Sequence, residues 1–197
     1  MLIVGINGSP DRSGSTAFLI EEILKHCVSL GAQTQIIQVM DALREQERPY
    51  CIACATPCPE KCHQIESLAN AYDLLRKCDA LVVGSPVYFG TLSAPLKAFW
   101  DKSRNLRGEK ALVNKPAGAV AVGAARFGGQ ETTVRAIQDI LLVHGMRIVG
   151  DGSERGGAGH QGVCATRPAN EDSFAIERAR IMAQGLYEAS RERESRG

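Results

Sequence analysis

Short apolar runs alternate with amphipathic stretches along most of this chain. The apolar runs are rich in branched side chains and end at glycine or polar residues, as expected for buried strands. They predict five strands, at 2–6, 33–39, 80–83, 117–122 and 146–149. Apolar residues that recur at helical spacing predict helices at 14–30, 65–76, 93–106, 132–144 and 170–190. Two stretches lack a clear period, the charged stretch 40–50 and the glycine-rich stretch 151–168.

This alternation predicts an α/β fold, a doubly wound five-stranded parallel sheet with helices on both faces. In the strand order 2-1-3-4-5, ligands bind beyond the carboxyl ends of the strands, where the loops after the first, third and fourth strands meet. We expect one domain over residues 1–190, with a cysteine-rich loop insertion at 50–63 after the second strand. The charged tail, residues 191–197, is expected to be frayed.

The loop after the first predicted strand, residues 7–16, has the composition of an anion site. It contains two glycines, a proline and four hydroxyl side chains, and it leads into a predicted helix. Backbone N–H groups at a helix N-terminus lack intrahelical partners and favour negative charge. Ser9, Ser13, Ser15 and Thr16 add side-chain donors and Arg12 adds a charge, so the loop is a candidate cradle for a phosphate monoester. The alternative is an ordinary turn with a Ser or Thr cap, and the glycine spacing excludes a Walker loop and a GxGxxG fingerprint.

The loops after the third and fourth predicted strands also carry unusual residues. The loop at 84–90 presents four candidate ring-binding residues: Pro86, Val87, Tyr88 and Phe89. Proline and aromatic surfaces pack against a flat ring, while backbone N–H groups reach its polar edge. The alternative is a hydrophobic turn that caps the sheet. In the loop at 123–129, Gly123 allows close backbone approach, and Arg126 is either a contact to a phosphate or ring oxygen or a solvated arginine.

Three stretches in these regions resemble the signature regions of the NADPH-dependent FMN reductase family, within the flavodoxin-like oxidoreductases. They are GINGSPDRSGST, GSPVYFGTLSAPLKAFWDK and GGQETTVRAIQDILLVHGM, and the resemblance covers most of residues 1–149. The resemblance implies a flavodoxin-like fold and FMN as the cofactor. It places the phosphate on Ser9, Arg12, Ser15 and Thr16 and the ring on Pro86 to Gly90, with the segment Gly123 to Gly129 on the other side. It also implies a homodimer or homotetramer in which the flavin lies near a subunit interface.

Four of the seven cysteines fall within twelve residues, at Cys51, Cys54, Cys58 and Cys62. So short a run can place four thiolates around one compact centre, which favours a 4Fe-4S cluster, whereas structural zinc sites more often join two close pairs across a longer gap. Zinc, a redox-active dithiol and a loop without metal are the alternatives. The insertion resembles the iron-sulfur flavoprotein subfamily. In that subfamily the second and third cysteines typically have two residues between them and a longer gap precedes the fourth, whereas here both gaps are three residues.

The other candidate side chains are expected to be structural. Cys27 and Cys78 are expected to pack as small apolar residues. Cys164 lies in the glycine-rich stretch, which either reaches the flavin pocket or forms a flexible surface connection. His63 is expected to face solvent, and His144 is an acid–base group by type for which a structural role is expected.

The charge balance gives no indication of a nucleic-acid or membrane partner, since the net charge is +1 with 23% charged residues. The first residues lack the basic and long apolar segments of a signal peptide, and no apolar stretch is long enough to span a bilayer. We therefore expect a cytoplasmic protein.

Together these features predict an FMN-dependent oxidoreductase that transfers electrons between a reduced donor, FMN, a 4Fe-4S cluster and a small-molecule acceptor. The expected donor is NAD(P)H or a ferredoxin-like protein. One alternative is an NAD(P)H:quinone or FMN reductase whose cysteine loop holds zinc or no metal. Another is an FMN-binding electron carrier or regulatory module without turnover.

Overall fold

The chain folds as a parallel sheet with helices on both faces in a computed structural model that describes residues 1–154 and 156–195. The strands are β1 (Leu2–Asn7), β2 (Gln33–Gln38), β3 (Ala80–Pro86), β4 (Pro116–Gly123), β5 (Arg147–Ile148) and β6 (Val163–Thr166). The helices are α1 (Ser15–Ser29), α2 (Val39–Leu43), α3 (Glu66–Lys77), α4 (Ala94–Asp101), α5 (Arg104–Gly108), α6 (Gln130–Val143) and α7 (Ser173–Glu194). Short 3-10 turns span Lys61–Gln64 and Ala169–Glu171.

The sheet has the predicted order β2-β1-β3-β4-β5, and all of its pairings are parallel. The prediction of five strands needs one correction, because β6 also pairs with β4. β5 pairs with the first residues of β4 at Pro116 and Ala117, and β6 pairs with its last residues from Val120 to Gly123. The two short strands therefore share one edge position, and the segment between them interrupts the last strand of the sheet.

Each face of the sheet buries its own hydrophobic layer. Tyr72, Leu96 and Phe99 pack on the side of α3, α4 and α6, and Ile20 and Met182 pack on the side of α1 and α7. All five side chains are fully buried. Each contributes about 1.5–3 kcal/mol through the removal of its apolar surface from water.

Two predicted boundaries differ from the structure. The single helix expected at 93–106 is divided into α4 and α5, where the Ser103 hydroxyl donates to the Trp100 carbonyl at 2.7 Å. β3 continues to Pro86, so the first part of the expected loop at 84–90 belongs to the strand. The pairing of β3 with β4 holds these residues extended, since Pro86 lies opposite Val122.

The segment between β5 and β6 is held to α7 by a buried ion pair. Arg178 Nε donates to Asp151 Oδ2 at 3.0 Å, and Arg178 Nη1 donates to the Gly156 carbonyl at 3.0 Å. Removing one partner of such a pair costs about 3–5 kcal/mol, because the other charge stays buried. This stretch is therefore anchored on both sides of Arg155, which lies outside the described residues.

The tail expected to be frayed is helical as far as Glu194, and residues 196–197 lie outside the described part of the chain. Within the described residues, no helix has the length and apolar character that a membrane crossing requires.

Candidate functional site

The loop after β1 presents a helix N-terminus without a side-chain cap. Gly14 is the N-cap residue of α1, no side chain bonds the first amides, and no acidic residue lies in the first turn. The first N–H groups of α1 therefore lack intrahelical partners and are available to an anion. Ser9 and Thr16 are buried beside this N-terminus, and Ser15 is half-buried with its Oγ accepting from Ala169 N at 3.1 Å.

The base of this loop is fixed to its neighbours. Gly8 N donates to the Gly84 carbonyl at 2.9 Å, and the Ser93 hydroxyl donates to the Gly8 carbonyl at 2.6 Å. A Cβ at Gly8 would lie 2.8 Å from both the Gly84 oxygen and Leu96 Cβ, so only glycine fits. The loop conformation is therefore set by the sheet before any ligand binds.

Two charged side chains of the loop have protein partners. Arg12, expected to contact phosphate, is exposed and forms an ion pair with Asp41 in α2. Asp11 Oδ1 accepts a hydrogen bond from Ser13 N at 2.9 Å. Asp11 Oδ2 lies close to Gly14, 2.7 Å from the position that a Cβ added to this glycine would take. The loop therefore brings a carboxylate to the start of α1 and directs its arginine to a different helix.

The loops after β3 and β4 meet, as the strand order predicts. A Cβ at Gly129 would lie 2.9 Å from Gly90 Cα, and the Thr132 hydroxyl donates to the Gly90 carbonyl at 2.7 Å. Gly123 is buried under Gln130, whose Nε2 donates to the Ala125 carbonyl at 2.8 Å. These contacts hold the two loops side by side at the carboxyl edge of the sheet.

The aromatic residues of these loops are open to solvent. Pro86 and Val87 are half-buried, Tyr88 is exposed, and Phe89 is fully exposed with φ of 51°. In the next loop, Phe127 is 92% exposed and the Arg126 guanidinium lies 5.3 Å from the centre of its ring. A planar ligand at these loops would therefore meet accessible apolar surface.

Sequence reasoning missed several side chains that shape this region. Asn7 connects the loop to β2, because its Nδ2 donates to Gln38 Oε1 at 2.7 Å and its Oδ1 accepts from Ser9 N at 3.0 Å. Its place directly after a buried strand is a signal that could have identified it. Gln130 and Thr132 gave no such signal, since their partners lie on other loops.

The cysteine loop forms a second region, where all four cysteines of the run line one cavity of about 340 Å³. Cys51, Cys58 and Cys62 are half-buried and Cys54 is exposed. Ala53 N donates to Cys51 Sγ at 3.4 Å, the kind of hydrogen bond that stabilises a thiolate ligand. Burial raises the pKa of Cys62 above its ordinary value, an effect that the charge of Lys102 partly offsets.

The four thiols do not converge on a single ion. Among the described residues, no three His, Cys, Asp or Glu side chains are grouped closely enough to hold one metal ion. A mononuclear zinc site needs four ligands at about 2.0–2.3 Å from one centre. A 4Fe-4S cluster likewise needs four thiolates around one centre, so the shared cavity is compatible with either kind of metal.

The other three cysteines pack inside the domain, as expected for Cys27 and Cys78. Burial raises the pKa of Cys27 and Cys164 to about 12 and that of Cys78 to about 11, so all three stay protonated thiols. Cys164 lies in β6, opposite Ala121 of β4. It therefore belongs to a strand of the sheet and not to a flexible surface connection. Ala169, just after β6, contacts Ser15 at the start of α1.

His63 does not face solvent as expected. Its Nε2 lies 2.6 Å from the Lys102 carbonyl, and its ring packs edge-on against Tyr72 at 5.1 Å between ring centres. The 3-10 turn that follows the last cysteines therefore directs this side chain toward α3 and α4.

The fold and these loops form a candidate ligand site at the carboxyl edge of a parallel α/β sheet, and comparisons with known proteins show its class. The sequence model of the NADPH-dependent FMN reductase family matches residues 1–156, and the chain belongs to this family. It is therefore a flavin-dependent oxidoreductase, and the match supports FMN as its flavin.

An iron-sulfur flavoprotein of Methanocaldococcus jannaschii is 39% identical over 191 residues, which cover 95% of this chain and 96% of the relative. An NAD(P)H dehydrogenase (quinone) of Chromohalobacter salexigens is 43% identical over 77 residues, or 39% of this chain and 38% of the relative. The solved structure of a WrbA-like flavodoxin from Agrobacterium tumefaciens has a TM-score of 0.69 at 17% identity, covering 97% of this chain and 98% of its own. This last likeness confirms the fold.

Proposed function

We propose that the protein is an iron-sulfur flavoprotein that transfers electrons from a reduced donor through FMN and a 4Fe-4S cluster to a small-molecule acceptor. The observation that supports it most is the joint presence of an uncapped α1 N-terminus and four thiols around one cavity, on loops of the same domain. A flavin accepts an electron pair and releases electrons singly, and a cluster carries one electron at a time.

The residues at the α1 N-terminus would hold the FMN phosphate. The free amides there, with the hydroxyls of Ser9, Ser15 and Thr16, form a set of hydrogen-bond donors suited to a phosphate monoester. Arg12 already forms an ion pair with Asp41, which partly neutralises its charge. We therefore assign most of the phosphate recognition to amides and hydroxyls, with Arg12 as an outer charge.

The loops after β3 and β4 would hold the ring. Pro86, Val87 and Gly90 would bring backbone groups to its edge, and Tyr88 and Phe89 would cover part of its surface. Gly123 and Arg126 would close the opposite side. Because Phe89 and Phe127 are both open to solvent, a second copy of the chain is the natural cover for this side, which fits a homodimer or homotetramer.

Cys51, Cys54, Cys58 and Cys62 would bind the cluster. The similarity to an iron-sulfur flavoprotein supports a cluster over a zinc ion at their shared cavity. We propose NAD(P)H as the donor, because the family is named for that reaction, with a ferredoxin-like protein as the alternative donor. No nucleic-acid or membrane partner enters this proposal, and the cytoplasm is the proposed location.

The experiment is an anaerobic turnover assay on the purified full chain. NADH, NADPH and a reduced ferredoxin would be offered in turn, with quinones, nitro compounds and disulfides as acceptors. Repeated turnover accompanied by absorbance changes of both flavin and cluster supports the proposal. Reoxidation after a single cycle would indicate an electron carrier, and turnover without a cluster signal would indicate an NAD(P)H:quinone or FMN reductase.

A further inference from the structure

The chain between β6 and α7 crosses the carboxyl edge of the sheet beside the proposed flavin site. Arg167 N donates to the Gly123 carbonyl at 3.0 Å, which adds one hydrogen bond to the pairing of β6 with β4. Two residues further on, Ala169 N donates to Ser15 Oγ at 3.1 Å. Arg167 therefore lies between the end of β4 and the first residue of α1, the helix at whose N-terminus the flavin phosphate is proposed to bind.

The side chain of Arg167 follows the alternation of β6. Val163 and Ala165 are buried in the hydrophobic layer on the side of α1 and α7, whereas Cys164 packs against the layer on the other side. Side chains alternate between the two faces of a strand, and the bond to Gly123 continues the strand pairing as far as Arg167. Arg167 therefore projects on the side of α1, and it is exposed because it lies beyond the end of β6.

Arg167 is a cation without a protein partner. Its side chain makes no hydrogen bond or ion pair with any of the described residues. Asp172, the N-cap residue of α7, accepts from two backbone N–H groups at 3.0 Å each. Arg12, the arginine of the loop after β1, is by contrast held in an ion pair with Asp41. Of these two arginines, Arg167 is therefore the one that is free to bind an anion.

The charge of a flavin phosphate makes such a cation useful at this place. A phosphate monoester carries about −1.5 to −2 charges at neutral pH. Amides and hydroxyls carry no net positive charge, and the Asp11 carboxylate lies at the start of α1. Arginine donates two parallel hydrogen bonds to a phosphate, and each is about twice as strong as a bond between neutral groups. Two residues of chain span at most about 7 Å, so the long side chain of Arg167 is within reach of a phosphate held at Ser15.

We propose that Arg167 pairs with the phosphate of the bound flavin and makes the site select FMN over riboflavin. This role rests on the proposed function, which places the phosphate at the α1 N-terminus. The amides and hydroxyls of the loop after β1 position the phosphate, and Arg167 balances its charge. The residue lies outside the three stretches that resemble the reductase family, and it supplies the cation that Arg12, held by Asp41, does not.

The test is a flavin titration of the full chain after its own flavin has been removed, followed by the quenching of flavin fluorescence. Each protein is titrated with FMN and with riboflavin, which has the same ring and no phosphate. We expect Arg167→Gln to weaken FMN binding about five- to twentyfold and to leave riboflavin binding unchanged, because only the partner of the phosphate is lost. The dissociation constant of FMN should also become less sensitive to salt.

Two other arginines supply matched controls. Arg147 is exposed in β5 and lies opposite Pro116, the first residue of β4, whereas Arg167 is bonded to the last residue of that strand. Arg147→Gln therefore removes the same charge about 20 Å away, at about 3.3 Å per residue, and should leave FMN binding unchanged. Arg12→Gln should weaken FMN binding less than Arg167→Gln does, since the Arg12 guanidinium is held by Asp41 in α2.

The proposal is overturned if Arg167→Gln and Arg147→Gln bind FMN equally well, or if Arg12→Gln has the larger effect. A parallel loss of riboflavin affinity in Arg167→Gln also overturns it, because the variant would then act through the shape of the site. So does a higher Michaelis constant for NADPH with unchanged FMN affinity, which would assign Arg167 to the 2′-phosphate of the donor.

Failure of the proposed function has a different signature. The wild-type chain would then bind FMN no more tightly than riboflavin, which would remove the phosphate site and the role of Arg167 together. If the wild-type chain prefers FMN and Arg167→Gln keeps the whole of that preference, the phosphate site stands and the role of Arg167 alone is wrong.

Discussion

The loops after β1, β3 and β4, which are proposed to hold the flavin and are called the flavin loops below, differ from the cysteine loop at 50–63 in how the fold holds them. At the flavin loops, backbone and hydroxyl groups are bonded across strands and between loops, as at Gly8, Ser93 and Thr132. In the cysteine loop, the hydrogen bonds to other elements lie at its C-terminal end. They join Gln46 Nε2 to the Cys62 carbonyl at 3.0 Å and His63 to the Lys102 carbonyl.

This difference shows which site depends on its cofactor for shape. Loops fixed by a buried sheet are preorganised, so a flavin meets a surface that already has its bound form. A loop anchored at one end would have its geometry completed by the proposed cluster, because metal binding and local folding are coupled. We therefore expect changes in the cysteine loop to affect metal content and changes in the flavin loops to affect flavin affinity.

The largest expected effect is the loss of the cluster in Cys54→Ala. Removing one thiolate ligand should reduce iron from about four to near zero per chain. FMN content should stay near that of the wild type, because the flavin loops are fixed independently. The measurement is iron, sulfide and FMN analysis after anaerobic purification.

Cys164→Ala is the matched control, since this thiol lies in β6 and not in the loop. It should retain iron and FMN. Loss of both cofactors in Cys54→Ala would show that the cysteine loop helps to build the flavin pocket. The expectation that the two regions hold their cofactors independently would then be wrong.

Gly8→Ala should have the next largest effect, on the flavin loops. The new Cβ would lie 2.8 Å from the Gly84 carbonyl oxygen and from Leu96, so the loop and β3 must separate. We expect a loss of about 1–3 kcal/mol in the free energy of unfolding, together with weaker FMN binding. Chemical denaturation and flavin titration measure the two effects.

Gly108→Ala provides the comparison, because nothing lies within 4 Å of the Cβ that it would add. It should change neither stability nor FMN affinity by much. An equal effect of the two variants would mean that the close contact at Gly8 is not what holds the phosphate loop.

A smaller effect of opposite sign is expected for Asp11→Asn. The amide oxygen can still accept from Ser13 N, but the negative charge beside the α1 N-terminus is removed. FMN binding to the apoprotein should tighten about three- to tenfold, since a like charge near the phosphate is lost. Flavin fluorescence quenching measures the dissociation constant.

Riboflavin, which lacks the phosphate, is the internal control for Asp11→Asn, and its affinity should not change. A parallel shift for riboflavin and FMN would mean that the variant acts through loop conformation rather than charge. Weaker FMN binding would mean that the carboxylate stabilises the binding form of the loop.

The smallest effect is expected for Thr132→Val, which keeps the side-chain shape and removes the hydrogen bond between the loops after β3 and β4. FMN affinity should fall about threefold, in line with about 0.5–1.5 kcal/mol for one hydrogen bond. Iron content should not change. If iron content fell while flavin affinity stayed the same, the contact between Thr132 and Gly90 would support the cysteine loop and not the flavin loops.

The sequence predicts the parts of the fold that depend on local pattern. The strand order and the meeting of three loops follow from buried strands that alternate with helices, and both are confirmed. β6 was not predicted, because its four residues form a strand only through pairing with β4. The break between α4 and α5 and the orientation of His63 depend likewise on tertiary contacts.

The candidate site shows the same limit. Composition predicts a phosphate site in the loop 7–16 and a metal site in the cysteine run, but not that Arg12 pairs with Asp41, which lies on α2 and reaches the loop only in the folded chain. Similarly, Gln130 in α6 packs against Gly123 in β4 only because the fold brings α6 beside the end of β4. The assignment of FMN and cluster contacts to individual residues stays a prediction.

The most direct test of the central claim is the cofactor content of the full chain purified without oxygen. The account predicts one FMN per chain with about four irons and an equal amount of acid-labile sulfide. One zinc per chain with no sulfide, at full FMN occupancy, would contradict it and leave a plain flavin reductase with a metal-stabilised loop.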